Sequence, residues 1–448
     1  MSLNDTIVAC ATPAGYSSIA VIRVSGGKSI ELVKKIFSAT QHGQRIESHK
    51  AYYGDLIDPA DRGVIDKVVA TFFCKPHSYT GEDVVEISCH GNPLIVERII
   101  TILTHSGARL AERGEFTRQA LLNGKIDMLQ AEAVLDTVYA QCDEARKLAI
   151  SQYEGKLSQE IYALRSMIID LLSLVEVDID FPDEEDVQTD SSVLAQMQND
   201  IVARCDDLLK GAEVGVKIKE GYKVLIMGRV NVGKSTLFNH MLGYDRALIH
   251  EAPGTTRDYI EDHLNFAGLH IWLIDSAGIL NKAQGPDRLA QDKALKLVDE
   301  ADLILLMFDG AEAINEEDLF LFNLTKQKER LLIVNKIDLN MKLDESSILG
   351  DSIKLSAKSG MHVDVLMEKM KSVLAPQIKS SQALLTRQRH IDAVEQVKKY
   401  VLKSMDAPSP ETMAFELHAA LQVVGELTGQ VMRKDILDKI FEEFCIGK

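Results

Sequence analysis

Residues 228–235 read Gly-Arg-Val-Asn-Val-Gly-Lys-Ser, two glycines separated by four residues and followed by a lysine and a hydroxyl. Glycines there let backbone N–H groups face phosphate oxygens. A helix beginning at Ser235-Thr236 adds the positive end of its dipole, Lys234 reaches the terminal phosphates, and the Ser235 hydroxyl suits magnesium. Asn231, Val232 and Gly233 complete the cradle. Asn335-Lys336-Ile337-Asp338 follows the apolar run RLLIV, where a base-reading loop belongs. A carboxylate at Asp338 accepts two hydrogen bonds from guanine and finds no partner on adenine, a discrimination of about 10⁴-fold or more. Ser356-Ala357-Lys358 follows the next run and is expected to close over the base oxygen with backbone N–H groups.

Two further segments suit a γ-phosphate sensor: Pro253-Gly254-Thr255-Thr256-Arg257-Asp258 and Asp275-Ser276-Ala277-Gly278. Thr256 can add a second hydroxyl to magnesium, Asp275 can hold the ion through water, and the Gly278 amide can bond the γ-phosphate, so loss of that phosphate releases both loops. The combined pattern predicts a GTP-hydrolysing domain over about 216–380.

Elements able to position these loops are legible around them. KVLIM, LHIWLID, DLILLMFD, RLLIVNK and SIKLSAK are short apolar runs with helical segments between most of them, the signature of a mostly parallel sheet covered by helices. Before about residue 118, SIAVIRVSG, KVVATFFC and DVVEISCHG alternate with a helical stretch near 93–106, as in a mixed α+β domain. From 119 to about 210 the texture is helical: Leu164, Ile168, Leu171, Leu172 and Val175 form one apolar stripe. It becomes helical again after 380, with Leu417, Leu421, Val424 and Leu427 on a stripe. A segment that short is more stable packed against 119–210 than alone, so the α/β domain reads as an insertion into a helical one. The expected order is 1–118, 119–215, 216–380 and 381–448.

Composition narrows the class. The chain has 448 residues, too many for a single core, 46% of them hydrophobic, and a net charge of -17. Such a surface repels polyphosphates, so a nucleic-acid contact must be local or delivered by a partner. Six scattered cysteines with no Cys-x-x-Cys pair fit a reducing cytoplasm better than a zinc module or a disulfide framework. The first ten residues lack the pattern of a signal peptide, and no run of about eighteen apolar residues suggests a membrane span. The acidic run at 180–186 lacks calcium-loop spacing and reads as a solvated helix end.

The nucleotide motifs resemble the TrmE–Era–EngA group of GTPases, and the flanks sharpen this. DTIVACATPAGYSSIAVIRVSG, SYTGEDVVEISCHGN, GARLAERGEFTRQALLNGKIDMLQAEAV, VDIDFPDEED and GELTGQVMRKDILDKIFEEFCIGK resemble, end to end, the MnmE (TrmE) family of tRNA-modifying GTPases. The resemblance implies a multidomain chain: an α+β tetrahydrofolate-binding-like N-terminal domain that dimerises, an all-α domain, and an inserted Ras-like α/β P-loop GTPase domain. It implies a 5-formyltetrahydrofolate (or methylene-folate) site at Arg23, Glu82, Lys125 and Lys448. It also implies potassium in place of an arginine finger, held by Asn231, backbone groups of His250 and Ala252, and Thr255. Further implications are a homodimer whose GTPase domains meet when GTP binds, a heterotetramer with the flavoprotein MnmG carrying FAD, and tRNA as substrate. Together these would add an aminomethyl or carboxymethylaminomethyl group to C5 of the wobble uridine. Cys445 is read as a packed residue anchoring the tail, a reactive thiol being the alternative.

Departures from the family pattern bear on mechanism. Val230 replaces a usual proline, Ser276 and His250 each a usual threonine, and Tyr16-Ser17-Ser18 a glycine-rich run. Ile279 stands where Ras-like proteins carry a water-orienting glutamine, Leu280 where arginine is typical, and Asp287 where the family's water-orienting glutamate is expected. One methylene shorter, Asp287 predicts slower hydrolysis. The competing reading is a regulatory switch or ribosome-assembly GTPase of the Era or EngA kind; its expected basic module or second GTPase domain is not evident in the flanks.

Overall fold

A computed structural model describes residues 5–39, 47–182, 188–243, 260–275, 295–343, 351–374, 384–431 and 434–448. The chain forms two compact units, one of Met1–Leu135, Gln152–Val202 and Gln396–Lys448, the other of Asp136–Ser151 and Ala203–Glu395.

The first unit begins with β1 (Ile7–Cys10), β2 (Ser17–Ser25), α1 (Ser29–Ile36), β3 (Phe37–Ala39), β4 (Lys50–Ile57), β5 (Val64–Phe73), β6 (Val84–Gly91), α2 (Pro93–His105) and β7 (Arg109–Leu110). The strands form one sheet in the order β3-β4-β5-β6-β2-β1-β7, antiparallel except for β1 with β7. Burial alternates along β4 and β5, so one face carries Tyr52, Leu56, Val68, Ala70 and Phe72 onto Leu32, Val33 and Ile36 of α1 and Ile99, Ile102 and Leu103 of α2. Helix α2 starts where Asn92 accepts from the Leu94 amide and Pro93 removes an N–H that would have no partner.

Helices follow: α3 (Glu115–Leu122), α4 (Met128–Tyr139), α5 (Asp143–Tyr153), α6 (Lys156–Asp180), α7 (Ser191–Lys210) and α8 (Ala212–Glu220). The predicted stripe of α6 is buried at Leu164, Ile168, Leu171, Leu172 and Val175.

The sheet of the second unit comprises β8 (Tyr222–Gly228), β9 (Ile260–Phe266), β10 (Leu269–Asp275), β11 (Leu303–Asp309), β12 (Arg330–Asn335) and β13 (Ser352–Lys354), with α9 (Lys234–Leu242), α10 (Glu316–Leu324) and α11 (Val363–Leu374). Its order is β13-β12-β11-β8-β10-β9, parallel except for β9. Alternating side chains of the central strands feed two cores. Val224, Ile226, Leu303, Leu305 and Met307 meet Leu237, Phe238 and Met241 of α9 and Leu366, Met367 and Met370 of α11. Leu225, Met227, Ile304, Leu306 and Phe308 meet Leu297, Val298, Ala301 and Leu321. Burial on both faces explains the unbroken apolar runs read from the sequence. Strand order reverses at β8, which puts the crevice of an α/β sheet at the carboxyl end of that strand.

The chain ends with α12 (Gln388–Met405), α13 (Pro410–Thr428) and α14 (Lys434–Glu442). Within the first unit α13 packs along α6, with His418 Nε2 3.5 Å from Glu176 Oε1. Among the described residues no helix is long and apolar enough to cross a membrane.

Candidate functional site: the nucleotide crevice

The phosphate turn is built by backbone conformations that few residues adopt. Gly228 has φ 152°, Asn231 φ 63° and Gly233, the N-cap of α9, φ 105°. Gly233 is further constrained by space: a Cβ there would stand 2.3 Å from Asn335 Nδ2. Lys234 is buried at 6% exposure, and its Nζ donates to the Gly228 and Arg229 carbonyls, both at 2.8 Å. Burial lowers its pKa, with Asp275 and Glu317 opposing. Val232 is buried; Asn231, Ser235 and Thr236 are exposed.

Asp275 ends β10 at 1% exposure and accepts from the Ser235 hydroxyl at 2.7 Å. A hydroxyl and a carboxylate so close, at a helix N-terminus, form a hard-oxygen pair that fits magnesium. Of the sensor segments, Ser276, Ala277, Gly278, Thr255, Thr256, His250, Ala252 and Asp287 lie outside the described residues.

The base side is held to the phosphate side by one amide. Asn335, 3% exposed, donates from Nδ2 to the Val232 carbonyl at 2.7 Å and accepts the Ala357 N–H on Oδ1 at 2.8 Å. It thereby ties three loops at once. Lys336, in the left-handed region at φ 66°, donates to Asp309 Oδ2 at 2.6 Å. The Asp338 side chain is exposed, and a hydrogen bond from the Ser356 hydroxyl, the largest effect, holds its pKa down, so it presents an ionised acceptor. Ser356 and Ala357 are buried and Lys358 is exposed.

The first unit gathers a second set. Arg23 Nε lies 2.9 Å and Nη2 2.7 Å from Glu86 Oε1, its Nη1 donates to the Gly447 carbonyl at 3.0 Å, and its guanidinium stands 5.7 Å from the Tyr79 ring and 5.6 Å from that of Phe116. Burial, then the Arg23 charge, lowers the pKa of Lys448. Glu82 accepts from Ser25 Oγ at 3.2 Å, and burial raises its pKa. Lys125 Nζ donates to the Pro76 carbonyl at 3.1 Å. Sequence reasoning missed Glu86, the carboxylate that neutralises Arg23; its two-residue spacing from Val84 on one strand face carried the only available signal.

Cys445 corrects an expectation. Its side chain is exposed, not packed. The tail is anchored by Phe441 and Phe444, by the Gly114 N–H donating to the Cys445 carbonyl at 3.3 Å, and by an antiparallel bridge between Arg113 and Ile446. Backbone pairing and aromatic burial thus do the work assigned to the thiol.

This sheet order, with a phosphate turn after its central strand and an Asn-Lys-x-Asp loop after β12, defines a Ras-like P-loop GTPase. The rest of the chain decides which one. Residues 128–445 match the family model of the MnmE helical domain and residues 6–125 that of the GTP-binding protein TrmE N-terminus. The chain is 38% identical to the tRNA modification GTPase MnmE of Aquifex aeolicus over 453 residues, covering 100% of each. It is 39% identical to that of Syntrophotalea carbinolica, covering 99% of each, and 36% identical to that of Alkaliphilus oremlandii, covering 100% of each. The chain belongs to the MnmE (TrmE) family of tRNA modification GTPases.

Proposed function

We propose that this chain is a potassium-stimulated GTPase that, with a flavoprotein partner, adds an aminomethyl or carboxymethylaminomethyl group to C5 of the wobble uridine of certain tRNAs, drawing a one-carbon unit from folate. The observation that carries this reading is coverage: relatives named as tRNA modification GTPases match the whole chain, so the N-terminal unit and the nucleotide unit are explained together.

In the nucleotide crevice, Lys234 and the amides from Asn231 to Thr236 bind the phosphates, and Asp338, with Ser356, Ala357 and Lys358 closing over it, binds guanine. Asn335 and Lys336 hold that loop in place. Ser235 and Thr256 would hold magnesium with Asp275 behind them; magnesium there supplies charge neutralisation between the phosphates. Asn231, His250, Ala252 and Thr255 would hold potassium, whose charge replaces an arginine finger. Asp287 orients the attacking water, and the Gly278 amide, with Ser276 and Ala277 beside it, senses the γ-phosphate.

Arg23, Lys125, Lys448 and Glu82 bind the folate, with cations for its glutamyl carboxylates and the acid for its pterin edge. Support for this comes from the closeness of Arg23, Lys448 and the Gly447 carbonyl, 424 residues from Arg23. The proposed segments are a dimerising folate domain over 1–118, a helical domain over 119–215 and 381–448, and the GTPase domain over 216–380, acting in the cytoplasm as a homodimer that joins the FAD-bearing MnmG in a heterotetramer. The exposed Cys445 thiol is a secondary candidate for contact with the one-carbon unit.

Mass spectrometry of wobble uridines from a strain lacking this chain tests the reading. Modified uridines should vanish, return with the wild-type chain and stay absent with Ser235→Ala. Normal uridines in the deletion strain would overturn it in favour of a regulatory switch of the Era or EngA kind.

A further inference from the structure

Arg229 lies inside the phosphate loop, yet its side chain turns toward carboxylates. It is 11% exposed; Nη2 stands 2.5 Å from Glu312 Oε2 and Nε 3.9 Å from Asp318 Oδ2. Asp318 is fixed in a capping box: the Asn315 N–H donates to its Oδ2 at 3.2 Å, and its own N–H donates to Asn315 Oδ1 at 2.9 Å. The other oxygen, Oδ1, is buried without a hydrogen-bond partner among the described residues. Burial raises the pKa of Asp318, the Asn315 N–H and then Arg229 oppose that rise, and the charges of Asp309 and Glu312 add to it. Asp309 in turn takes the Lys336 ammonium at 2.6 Å. Charged contacts therefore join the phosphate loop to Glu312 and to the capped start of α10, while Asp309 pairs separately with Lys336 of the guanine loop.

The loop needs such a hold. Asn231, two residues on from Arg229, sits in the left-handed region at φ 63°, a conformation that costs of order 1 kcal/mol for a residue with a Cβ. Lys234 binds two carbonyls and restrains the loop from within. Asn335 holds it at the Val232 carbonyl, and half-buried Arg229 ties it to Glu312 and faces Asp318.

We propose that Arg229 is a positioning residue that braces the phosphate loop against Glu312 and the capped start of α10. The brace rests on GTP hydrolysis alone and stands apart from the folate and potassium readings. Small misplacements of a catalytic loop cost rate more than affinity, so the effect belongs in kcat.

The test is steady-state GTP hydrolysis and binding of a fluorescent GDP by the purified full chain, with melting temperatures checked for each variant. Arg229→Gln should lower kcat by about 10-fold or more while KM and GDP affinity move by less than about threefold. Arg229→Lys, which keeps the charge but not the fork, should recover part of the rate. Arg229→Gln/Glu312→Gln should be no slower than Arg229→Gln alone, within about twofold, because both remove the same 2.5 Å pair. Should Arg229→Gln fail to fold, Glu312→Gln, at an exposed partner, should still lower kcat by about two- to fivefold. A kcat within twofold of wild type in Arg229→Gln, equal losses of kcat and GDP affinity, or an unchanged kcat in Glu312→Gln when Arg229→Gln does not fold would overturn the proposal.

Discussion

The nucleotide crevice and the Arg23 cluster are organised in opposite ways. In the crevice each loop is a short contiguous word, and the loops are stitched by side chains that belong to those words: Asn335 to Val232 and Ala357, Ser235 to Asp275. Around Arg23 the partners are single residues on separate elements, Glu86 on β6 and Gly447 in the C-terminal tail, and no short word marks them; they meet because the sheet and the tail bring them together. A site written in contiguous words depends on backbone conformations and close approaches within them; a site assembled by the fold depends on packing elsewhere. Substitutions should therefore act locally and severely in the first, and more gradually in the second.

The largest effect is expected at Asp338. Asp338→Asn removes the carboxylate that pairs with guanine, so GTP affinity should fall by about 10³-fold or more, read by competition against fluorescent GDP, with xanthosine triphosphate bound better than GTP. Gly233→Ala comes next. Its methyl would meet Asn335 Nδ2 at 2.3 Å and force a left-handed φ on alanine, so nucleotide binding should weaken by about 100-fold, together with a lower melting temperature. Unchanged binding would break the idea that close approach fixes this site.

A pH effect is expected within the nucleotide unit. His270, 3% exposed beside Trp272 and His263, has its pKa lowered to about 4 by burial, with the His263 charge adding to it. The unfolded chain therefore binds a proton there between about pH 6.5 and 4 that the folded chain refuses. Stability from the neutral ring is complete above that window and lost as pH falls through it. Up to about 3 kcal/mol is at stake. Thermal melts across that range should be flatter for His270→Leu than for the wild type.

The smallest effect is expected in the Arg23 cluster. On the folate reading proposed above, Arg23→Gln should weaken binding of 5-formyltetrahydrofolate by about 10-fold by calorimetry, and Glu86→Gln by less, since it releases the guanidinium rather than removing it. A loss at Arg23 as severe as that at Asp338 would erase the contrast between the two regions.

What the sequence revealed follows the same division. Periodicity exposed β2, β5 and β6 of the first sheet, β8 and β10 to β13 of the second, and the α6 stripe, because burial on one or two faces leaves a regular apolar pattern, whereas short or edge strands such as β3, β7 and β9 leave little. The phosphate and guanine loops were legible because their geometry demands particular residues at adjacent positions. Glu86 was not, since an acidic residue on a half-buried strand looks the same whether it faces solvent or a distant arginine. His270 was hidden for a similar reason: within LHIWLID nothing marks it as the ring buried beside Gly221, where a Cβ would stand 2.6 Å from its Cδ2. At the tail it is Phe441 and Phe444 that are buried, while Cys445 is exposed.

Calorimetric titration of the wild-type chain with GDP and with ADP, under identical magnesium concentrations, tests most directly whether the loops from Gly228 to Lys358 form a guanine-selective site. Saturable GDP binding is expected, with ADP binding at least about 10⁴-fold weaker. ADP binding within tenfold of GDP would contradict that selectivity.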